Sequence, residues 1–263
     1  MSKAVLVDLV RCMGCRACQV ACKAWNDNPG DLTTICLGCY DNPPDFTGDT
    51  WSLIRFTEIE DESGQLHWVF TKRQCMHCEH PACVSACPVS ALQKLSSGPV
   101  VYKAQNCIGC RYCMIACPFH VPRINWDEVL PPIKKCTFCA DRQSAGLEPA
   151  CVKACPTDAL TYGERDELLA EARKRIAARP NKYVNHIYGE KEAGGTSWLY
   201  ISPVPFTALG FPELDEEPVP ELSEAIATYG TPSMLLGVAA LLGGIYWLTK
   251  RRAEGMHERA KEK

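Results

Sequence analysis

The stretch CIGCRYCMIACP, residues 107–118, carries the pattern that decides the fold of this chain. Its cysteines are spaced C-x2-C-x2-C-x3-C, and a proline follows the last one. The same spacing recurs at residues 12–22, and two further copies with longer internal loops lie at residues 75–87 and 136–155. Four copies of one short motif indicate duplication of a small structural unit.

The chain of 263 residues contains 18 cysteines, which is unusually many, and they occur in short spaced groups. Disulfides, zinc sites and iron–sulfur clusters compete as explanations. Neighbouring cysteines are mostly too close in sequence for the loops that a secreted disulfide framework closes. Zinc sites use separated C-x2-C pairs, which three close cysteines followed by Cys-Pro fit poorly. The spacing therefore favours iron–sulfur clusters.

The four motifs together supply sixteen cysteines, enough for four [4Fe–4S] cubanes. Three cysteines on a tight loop can wrap one corner of a cubane while loop N–H groups point at its sulfurs. The fourth cysteine begins a helical turn that faces away, so it binds the other cluster of a pair. Lys23 stands where the other three motifs have proline, which leaves the ligands intact. The spacing leaves open which motif pairs with which.

Other candidate ligands lie near the motifs. Cys36 and Cys39 form a lone C-x2-C pair, so we expect free thiols or a local disulfide there. His77 and His80 lie inside a motif that already has four cysteines, and we expect supporting or surface roles for them. Five basic residues flank the motifs, and they either offset cluster charge, which raises reduction potentials, or contact solvent or a partner. They are Arg11, Arg16, Arg111, Lys134 and Lys135.

An insertion, about residues 23–74, separates the first two motifs. Within it, residues 51–60 and 66–72 are rich in aromatic and β-branched side chains. They flank Asp-Glu-Ser-Gly at 61–64, a turn-forming sequence. This arrangement predicts an inserted β-hairpin.

Two segments of a different character follow the last motif. Residues 164–179 begin with acids, end with bases and are followed by Pro180, which predicts an amphipathic helix packed on the cluster domain. Its apolar face consists of Leu168, Leu169, Ala172 and Ile176. Residues 194–220 are rich in Pro, Gly and aromatics, and predict an extended segment without regular structure.

Residues 225–249 contain no charged side chain and are long enough to cross a hydrocarbon core of about 30 Å. Tyr246 and Trp247 suit a membrane interface, and Lys-Arg-Arg follows at 250–252. These features predict one transmembrane helix in the inner membrane. The basic flank places the C-terminal tail in the cytoplasm and the cysteine domain in the periplasm.

Several function classes are excluded by the composition and motifs. The net charge is −3 and no basic face is available for nucleic acid. No nucleophile–base pair or nucleotide-binding glycine loop occurs, so we expect no catalysis by this chain alone. Met1 leads directly into the first motif without the pattern of a secretory signal. An electron carrier with catalytic partners is the remaining interpretation.

These features predict an α+β fold of tandem ferredoxin-like two-cluster units with an inserted β-hairpin and one C-terminal transmembrane helix. The predicted domains are a four-cluster domain at 1–163, an amphipathic helix and extended segment at 164–224, a transmembrane anchor at 225–249 and a cytoplasmic tail at 250–263.

The sequence resembles the iron–sulfur subunits of membrane-bound molybdopterin oxidoreductases, above all the beta subunit of respiratory formate dehydrogenase. The resemblance spans nearly the whole chain. It is carried by CMGCRACQVACKAWND, YDNPPD, WSLIRF, CMHCEHPAC, CIGCRYCMIACPFHVPR, KCTFCADR and EPACVKACPTDAL. It implies a large catalytic subunit with molybdenum or tungsten, an integral membrane subunit with haem b or a quinone site, and contact with membrane lipid.

The resemblance also implies that the first motif pairs with the fourth and the second with the third. The implied ligand sets are Cys12, Cys15, Cys18 and Cys155 for cluster 1; Cys22, Cys136, Cys139 and Cys151 for cluster 2; Cys75, Cys78, Cys83 and Cys117 for cluster 3; and Cys87, Cys107, Cys110 and Cys113 for cluster 4.

Other interpretations stay open at this point. The chain is also similar to the iron–sulfur subunit of periplasmic nickel–iron hydrogenases in CRYCMIACP and YGEKEAGGT, but that family usually begins with a twin-arginine signal. Subunits of dimethyl sulfoxide and polysulfide reductases share the clusters but generally lack the C-terminal helix. An alternative of another class is a membrane-tethered interaction protein stabilised by zinc or disulfides.

The predicted orientation can be tested with spheroplasts. Protease added outside should degrade the cysteine domain, because the basic flank retains only the tail in the cytoplasm. Immunoblotting would follow the domain, with a cytoplasmic protein as the control for leakage. Full protection of the cysteine domain in intact spheroplasts would reverse the orientation.

Overall fold

The computed structural model describes residues 2–33, 35, 40–60, 64–128 and 131–261, with side chains described as far as residue 254. Cys36 and Cys39 lie outside the described residues, as does most of the predicted turn at 61–64. The chain forms two compact units, Met1–Val219 and Pro220–Lys263.

A three-stranded sheet lies at the centre of the first unit. Strand β1 (Lys3–Asp8) is its middle strand, antiparallel to β6 (Leu160–Glu164) and parallel to β7 (Trp198–Ile201). The middle strand reads AVLV at 4–7, and each of these residues is completely buried. A continuous apolar run is typical of a strand that is covered on both faces. The sheet thereby joins three distant parts of the chain.

Alternating side chains of the sheet belong to two different cores. Ala4, Leu6 and Leu199 pack with helix α6 (Arg165–Ala178), whose buried residues are the four predicted apolar-face residues. The opposite face, which includes Val5, belongs to the core that contains several motif cysteines. One face of the sheet therefore packs on a covering helix and the other on the cysteine loops.

The insertion contains the longest antiparallel pair of the first unit among the described residues. Strands β2 (Ser52–Glu60) and β3 (Leu66–Gln74) pair from Ser52–Gln74 to Glu60–Leu66. Phe56 and Phe70, on opposite strands, meet edge to face with ring centroids 5.1 Å apart, and the ring centroid of Trp68 lies 5.1 Å from that of Phe70. Cross-strand aromatic contacts of this kind stabilise a sheet. Strand β3 ends next to Cys75, so the pair positions the start of the second motif.

The motif cysteines lie on loops and on short helices. The helices are α1 (Ala17–Trp25), α2 (Ala82–Ser85), α3 (Tyr112–Ala116), α4 (Ala140–Ser144) and α5 (Ala150–Lys153). Pro88, Pro118 and Pro156 follow the ends of α2, α3 and α5, because proline cannot continue a helix. A small hairpin of β4 (Leu92–Lys94) and β5 (Val100–Tyr102) separates the second and third motifs.

The segment at 194–220 differs from its prediction of no regular structure. It contains β7, whose four residues are completely buried, and a 3-10 turn at Phe206–Leu209. The ring centroids of Phe211 and Tyr200 are 5.1 Å apart. A four-residue apolar run carries little pattern of its own, and its pairing with β1 depends on residues far away in sequence. The Pro-rich composition therefore concealed a core strand.

The second unit is helical. Helix α7 (Glu221–Ala225), a π-helical turn (Ile226–Gly230) and helix α8 (Thr231–Lys261) follow one another without a break. Residues Glu221–Glu254 are long and apolar enough, by length and composition, to cross a membrane. The described helix extends beyond the predicted span of 225–249 at both ends.

A substitution at Gly189 tests how closely the backbone at this position packs against strand β7. Gly189 has a φ of 92°, and an added Cβ would lie 2.3 Å from the Trp198 carbonyl oxygen. Gly146, with a φ of 74° and nothing within 4 Å of such a Cβ, is the matched control for backbone strain alone. Gly189→Ala should lower the temperature of thermal cluster loss, followed by visible absorbance, by about 4 °C more than Gly146→Ala. Equal decreases for the two variants would contradict the described packing.

Candidate functional site

The sixteen motif cysteines are mostly removed from solvent. Nine are buried and five are partly buried, whereas Cys15 and Cys110 are exposed. None of the sixteen forms a disulfide with another described cysteine. Burial disfavours the thiolate form, so it raises thiol pKa values unless a cation compensates.

The first group of thiols lines one small cavity, whose walls include Cys12, Cys15, Cys18 and Cys155 together with Lys72. Burial raises the pKa of the Cys18 thiol to about 12, and the charges of Cys12 and Cys15 act in the same direction. Burial also raises the pKa of Cys12, with a contribution from Cys155. We call these four residues set 1.

The second group, set 2, contains Cys22, Cys136, Cys139 and Cys151. Burial raises the pKa of Cys22 to about 12, and Cys151 and Cys139 raise it further. Burial raises the pKa of Cys136 well above its ordinary value, and Cys22 and Cys139 add to this effect. Three of these thiols come from the fourth motif and one from the first.

The third group, set 3, contains Cys75, Cys78, Cys83 and Cys117. Burial raises the pKa of Cys78 well above its ordinary value, and the other three thiols add to the increase. Burial raises the pKa of Cys83 to about 12, with contributions from Cys75 and Cys117.

The fourth group, set 4, contains Cys87, Cys107, Cys110 and Cys113. Burial raises the pKa of Cys113 to about 11, and the other three thiols act in the same direction. Burial also acts to raise the pKa of Cys87, but the backbone N–H groups of residues 89–92 lower it by more. Hydrogen bonds to the charged form of an acid stabilise that form.

Certain thiols connect one set to the next. Cys151 of set 2 acts on the pKa of Cys18 in set 1. Cys75 of set 3 acts on Cys136 in set 2. Cys113 of set 4 acts on Cys83 in set 3. These interactions link set 1 to set 2, set 2 to set 3 and set 3 to set 4, and the exposed thiols Cys15 and Cys110 belong to sets 1 and 4.

The loops of the first and third motifs have the same local conformation. Gly14 and Gly109 have φ values of 70° and 71°, and Arg16 and Arg111 have φ values of 60° and 62°. These left-handed positions turn the loop sharply between successive cysteines. The Gly109 N–H group donates to Cys107 Sγ at 3.4 Å, as the sequence predicts for loop N–H groups.

His77 is a completely buried residue that packs between motifs. The Val100 N–H group donates to His77 Nδ1 at 2.9 Å, and the ring stacks on Phe138 at 4.9 Å. Burial lowers the pKa of His77 well below its ordinary value, so Nε2 carries the proton of a neutral ring. Within the described ranges, neither His77 Nε2 nor Trp198 Nε1 has a hydrogen-bond partner.

The chemistry of the donor set fits [4Fe–4S] clusters. Four mutually adjacent thiols per set would repel one another as thiolates, and bound iron supplies the compensating positive charge. Buried donors without a partner are rare, and cluster sulfurs are acceptors that could satisfy them. The residues present therefore suit such a cofactor.

Each of the flanking basic residues contacts other parts of the protein, and Arg11 and Lys134 pair with carboxylates. Lys134 pairs with Asp49 at 3.0 Å, and the guanidinium of Arg111 lies 4.5 Å from the ring centroid of Trp126. The other three make contacts as follows: Arg11 with Asp8, Arg16 with the Tyr40 carbonyl and the Phe56 ring, and buried Lys135 with the Val100 and Cys136 carbonyls.

Lys72 was not identified from the sequence as a site residue. It lies on β3, only 1 % exposed, and lines the cavity of set 1. A lysine in the strand that leads into Cys75 was the available signal, but the alternation of β3 does not reveal which face is buried. His77 is likewise more deeply buried than a surface role would require.

Comparisons with known proteins agree with this chemistry. Residues 66–165 and residues 11–91 each match a family described as a 4Fe-4S dicluster domain. Two dicluster domains confirm the prediction of four [4Fe–4S] clusters and disfavour the zinc and disulfide interpretations.

Three curated relatives from Escherichia coli illustrate the similarity. The nitrate-inducible formate dehydrogenase iron-sulfur subunit is 44% identical over 201 residues, covering 75% of this chain and 67% of the relative. The formate dehydrogenase-O iron-sulfur subunit is 38% identical over 229 residues, covering 85% and 73%. The hydrogenase-2 operon protein HybA is 35% identical over 289 residues, covering 97% and 86%. Both predicted resemblances are confirmed.

Proposed function

Since the chain belongs to the family of 4Fe–4S iron–sulfur subunits represented by these relatives, we propose that it is the electron-transfer subunit of a membrane-bound, formate-oxidising complex. It carries electrons between a molybdopterin catalytic subunit with molybdenum or tungsten and a membrane subunit with haem b or a quinone site. By itself it catalyses no reaction. The single observation that carries this proposal is the succession of four thiol sets between two exposed ends.

Each set provides the ligands of one cluster. Set 1 takes three cysteines from the first motif and the last cysteine of the fourth, and set 2 takes three from the fourth motif and the last of the first. Sets 3 and 4 combine the second and third motifs in the same way. Two tandem ferredoxin-like units result, as the family resemblance implies. The assignment is supported by the thiols that act on each other's pKa and by the cavity shared by set 1.

Bound clusters supply one-electron carriers, and the chain's own residues hold them in sequence. The buried thiols and the apolar core around them keep water from the inner clusters. Cys15 and Cys110 bring the first and last clusters close to the surface, where partner cofactors can approach. Electrons thus enter and leave at opposite ends of the succession of sets.

The helix at Glu221–Glu254 anchors the chain in the inner membrane, with the cluster unit on the periplasmic side. The apolar length and the basic residues that follow Thr249 support this topology. Anchoring keeps the chain in the same membrane as its membrane subunit. Membrane lipid is accordingly a further partner.

A nickel–iron hydrogenase complex is the second candidate setting. The relative named hydrogenase-2 operon protein aligns with 97% of this chain, including the C-terminal helix. The higher identity of the formate dehydrogenase subunits favours formate as the substrate of the catalytic partner.

The two settings can be distinguished in the anaerobically purified complex. Formate should reduce the clusters, seen as bleaching of their visible absorbance, whereas hydrogen should not. A sample without substrate is the control, and dithionite gives the fully reduced limit. Bleaching by hydrogen alone would support the hydrogenase setting, and bleaching by dithionite alone would reject both. Fewer than about twelve irons per chain would contradict four cubanes.

The ligand sets predict which variants share a spectroscopic defect. Cys155→Ser and Cys12→Ser should alter the same paramagnetic resonance signal, because both residues belong to set 1. Cys151→Ser and Cys22→Ser should alter a second signal, because both belong to set 2. Each pair of variants changes one cysteine of the first motif and one of the fourth, so the two pairs differ only in the set to which their cysteines belong. If Cys155→Ser and Cys151→Ser affected one signal together, the proposed pairing would be wrong.

A further inference from the structure

Lys72 holds a positive charge in the interior of the first unit. Its Nζ donates to Ser52 Oγ at 2.7 Å and to Gln74 Oε1 at 2.8 Å. It also lies 4.7 Å from the ring centroid of Trp198. These contacts fix the ammonium group in one place, on the wall of the cavity that set 1 lines.

No carboxylate of the described residues forms an ion pair with Lys72. Its hydrogen-bond acceptors are a neutral hydroxyl and a neutral amide. Burying a charge without an opposite charge costs several kcal/mol, so such lysines normally have a counter-ion or lose their proton. The burial of Lys72 thus points to an anion other than a carboxylate of the described residues.

The anionic candidates around Lys72 are cysteine thiols of two sets. Lys72 lines the same cavity as the thiols of set 1, and Cys151 and Cys136 of set 2 are among the groups that interact with its charge. Lys72 in turn acts to lower the pKa of Cys12 and Cys22. The ammonium group therefore interacts with thiols of both set 1 and set 2.

We propose that Lys72 is a redox-tuning residue, whose buried positive charge is the counter-charge of the clusters in sets 1 and 2 and raises their reduction potentials. This inference rests on the proposed ligand sets. Reduction adds an electron to a cluster, and a fixed nearby cation stabilises the added negative charge. Because the site excludes water, the effect is screened less than at the surface.

The effect of Lys72 is confined to one half of the electron path. Its strongest interactions are with thiols of sets 1 and 2 and include none from sets 3 and 4. In the other half, buried Lys135 acts on Cys83 and Cys117 of set 3. Lys72 therefore influences the half that contains the exposed thiol Cys15.

The test uses the anaerobically purified holo-complex and a redox titration followed by paramagnetic resonance. In Lys72→Met the charge is lost, and the ratio of reduced to oxidised cluster in sets 1 and 2 should fall about tenfold at a fixed ambient potential, or ~59 mV for a one-electron couple. Lys72→Arg should retain the wild-type ratio. The signals of sets 3 and 4 should be unchanged in both variants.

Lys3→Met is the matched control for removing a lysine from a strand. Lys3 is partly exposed and pairs with Glu164, so its loss should leave all four signals unchanged. Lys72→Gln provides a second neutral variant that can still hydrogen-bond to Ser52 and Gln74. It decides the outcome if Lys72→Met fails to assemble its clusters.

Unchanged ratios in Lys72→Met or Lys72→Gln with full iron content would overturn the tuning role and leave the electron-transfer function standing. Loss of the set 1 and set 2 clusters in both neutral variants but not in Lys72→Arg would support the need for a counter-charge. Loss in all three would overturn the proposal in favour of a packing role. Failure of formate to reduce the wild-type complex would reject the proposed function alone, since the titration uses chemical mediators.

Discussion

The structure depends on bringing thiols together where water is scarce. Nine of the sixteen motif cysteines are buried. Burial, together with repulsion between neighbouring thiolates, raises the pKa values of thiols such as Cys18, Cys78 and Cys136. Such an arrangement is unfavourable for thiolates alone and favourable once iron binds them. Because each set takes cysteines from two motifs, cluster binding joins segments that are distant in sequence. The cofactors thus act as cross-links of the core.

The sheet and its covering helix provide a rigid frame for this core. Strand β1 immediately precedes the first motif, and β6 immediately follows the fourth, so their pairing brings the two motifs side by side. Strand β7 completes the sheet, and the ring of its Trp198 lies 4.7 Å from the Lys72 ammonium group. One face of the sheet packs on α6, which leaves the other face for the cysteine loops.

The basic residues that flank the motifs differ from Lys72 in the partners of their charged groups. Lys134 forms an ion pair with Asp49, and the guanidinium group of Arg111 lies over the ring of Trp126. Lys72 has no carboxylate partner among the described residues and faces thiols of two sets. Electrostatic influence on buried cofactors therefore depends on depth and pairing, because solvent screens exposed or paired charges.

The sequence alone determined the cofactor chemistry, because cysteine spacing within one short loop is a local property that iron–sulfur clusters require. It also determined the apolar face of α6 and the long apolar helix, since both have clear periodicity or length. The tertiary structure decided that residues 198–201 are a central strand and that Lys72 and His77 are buried. These outcomes depend on contacts between residues far apart in the chain, and no short stretch of sequence encodes which distant surface will cover it.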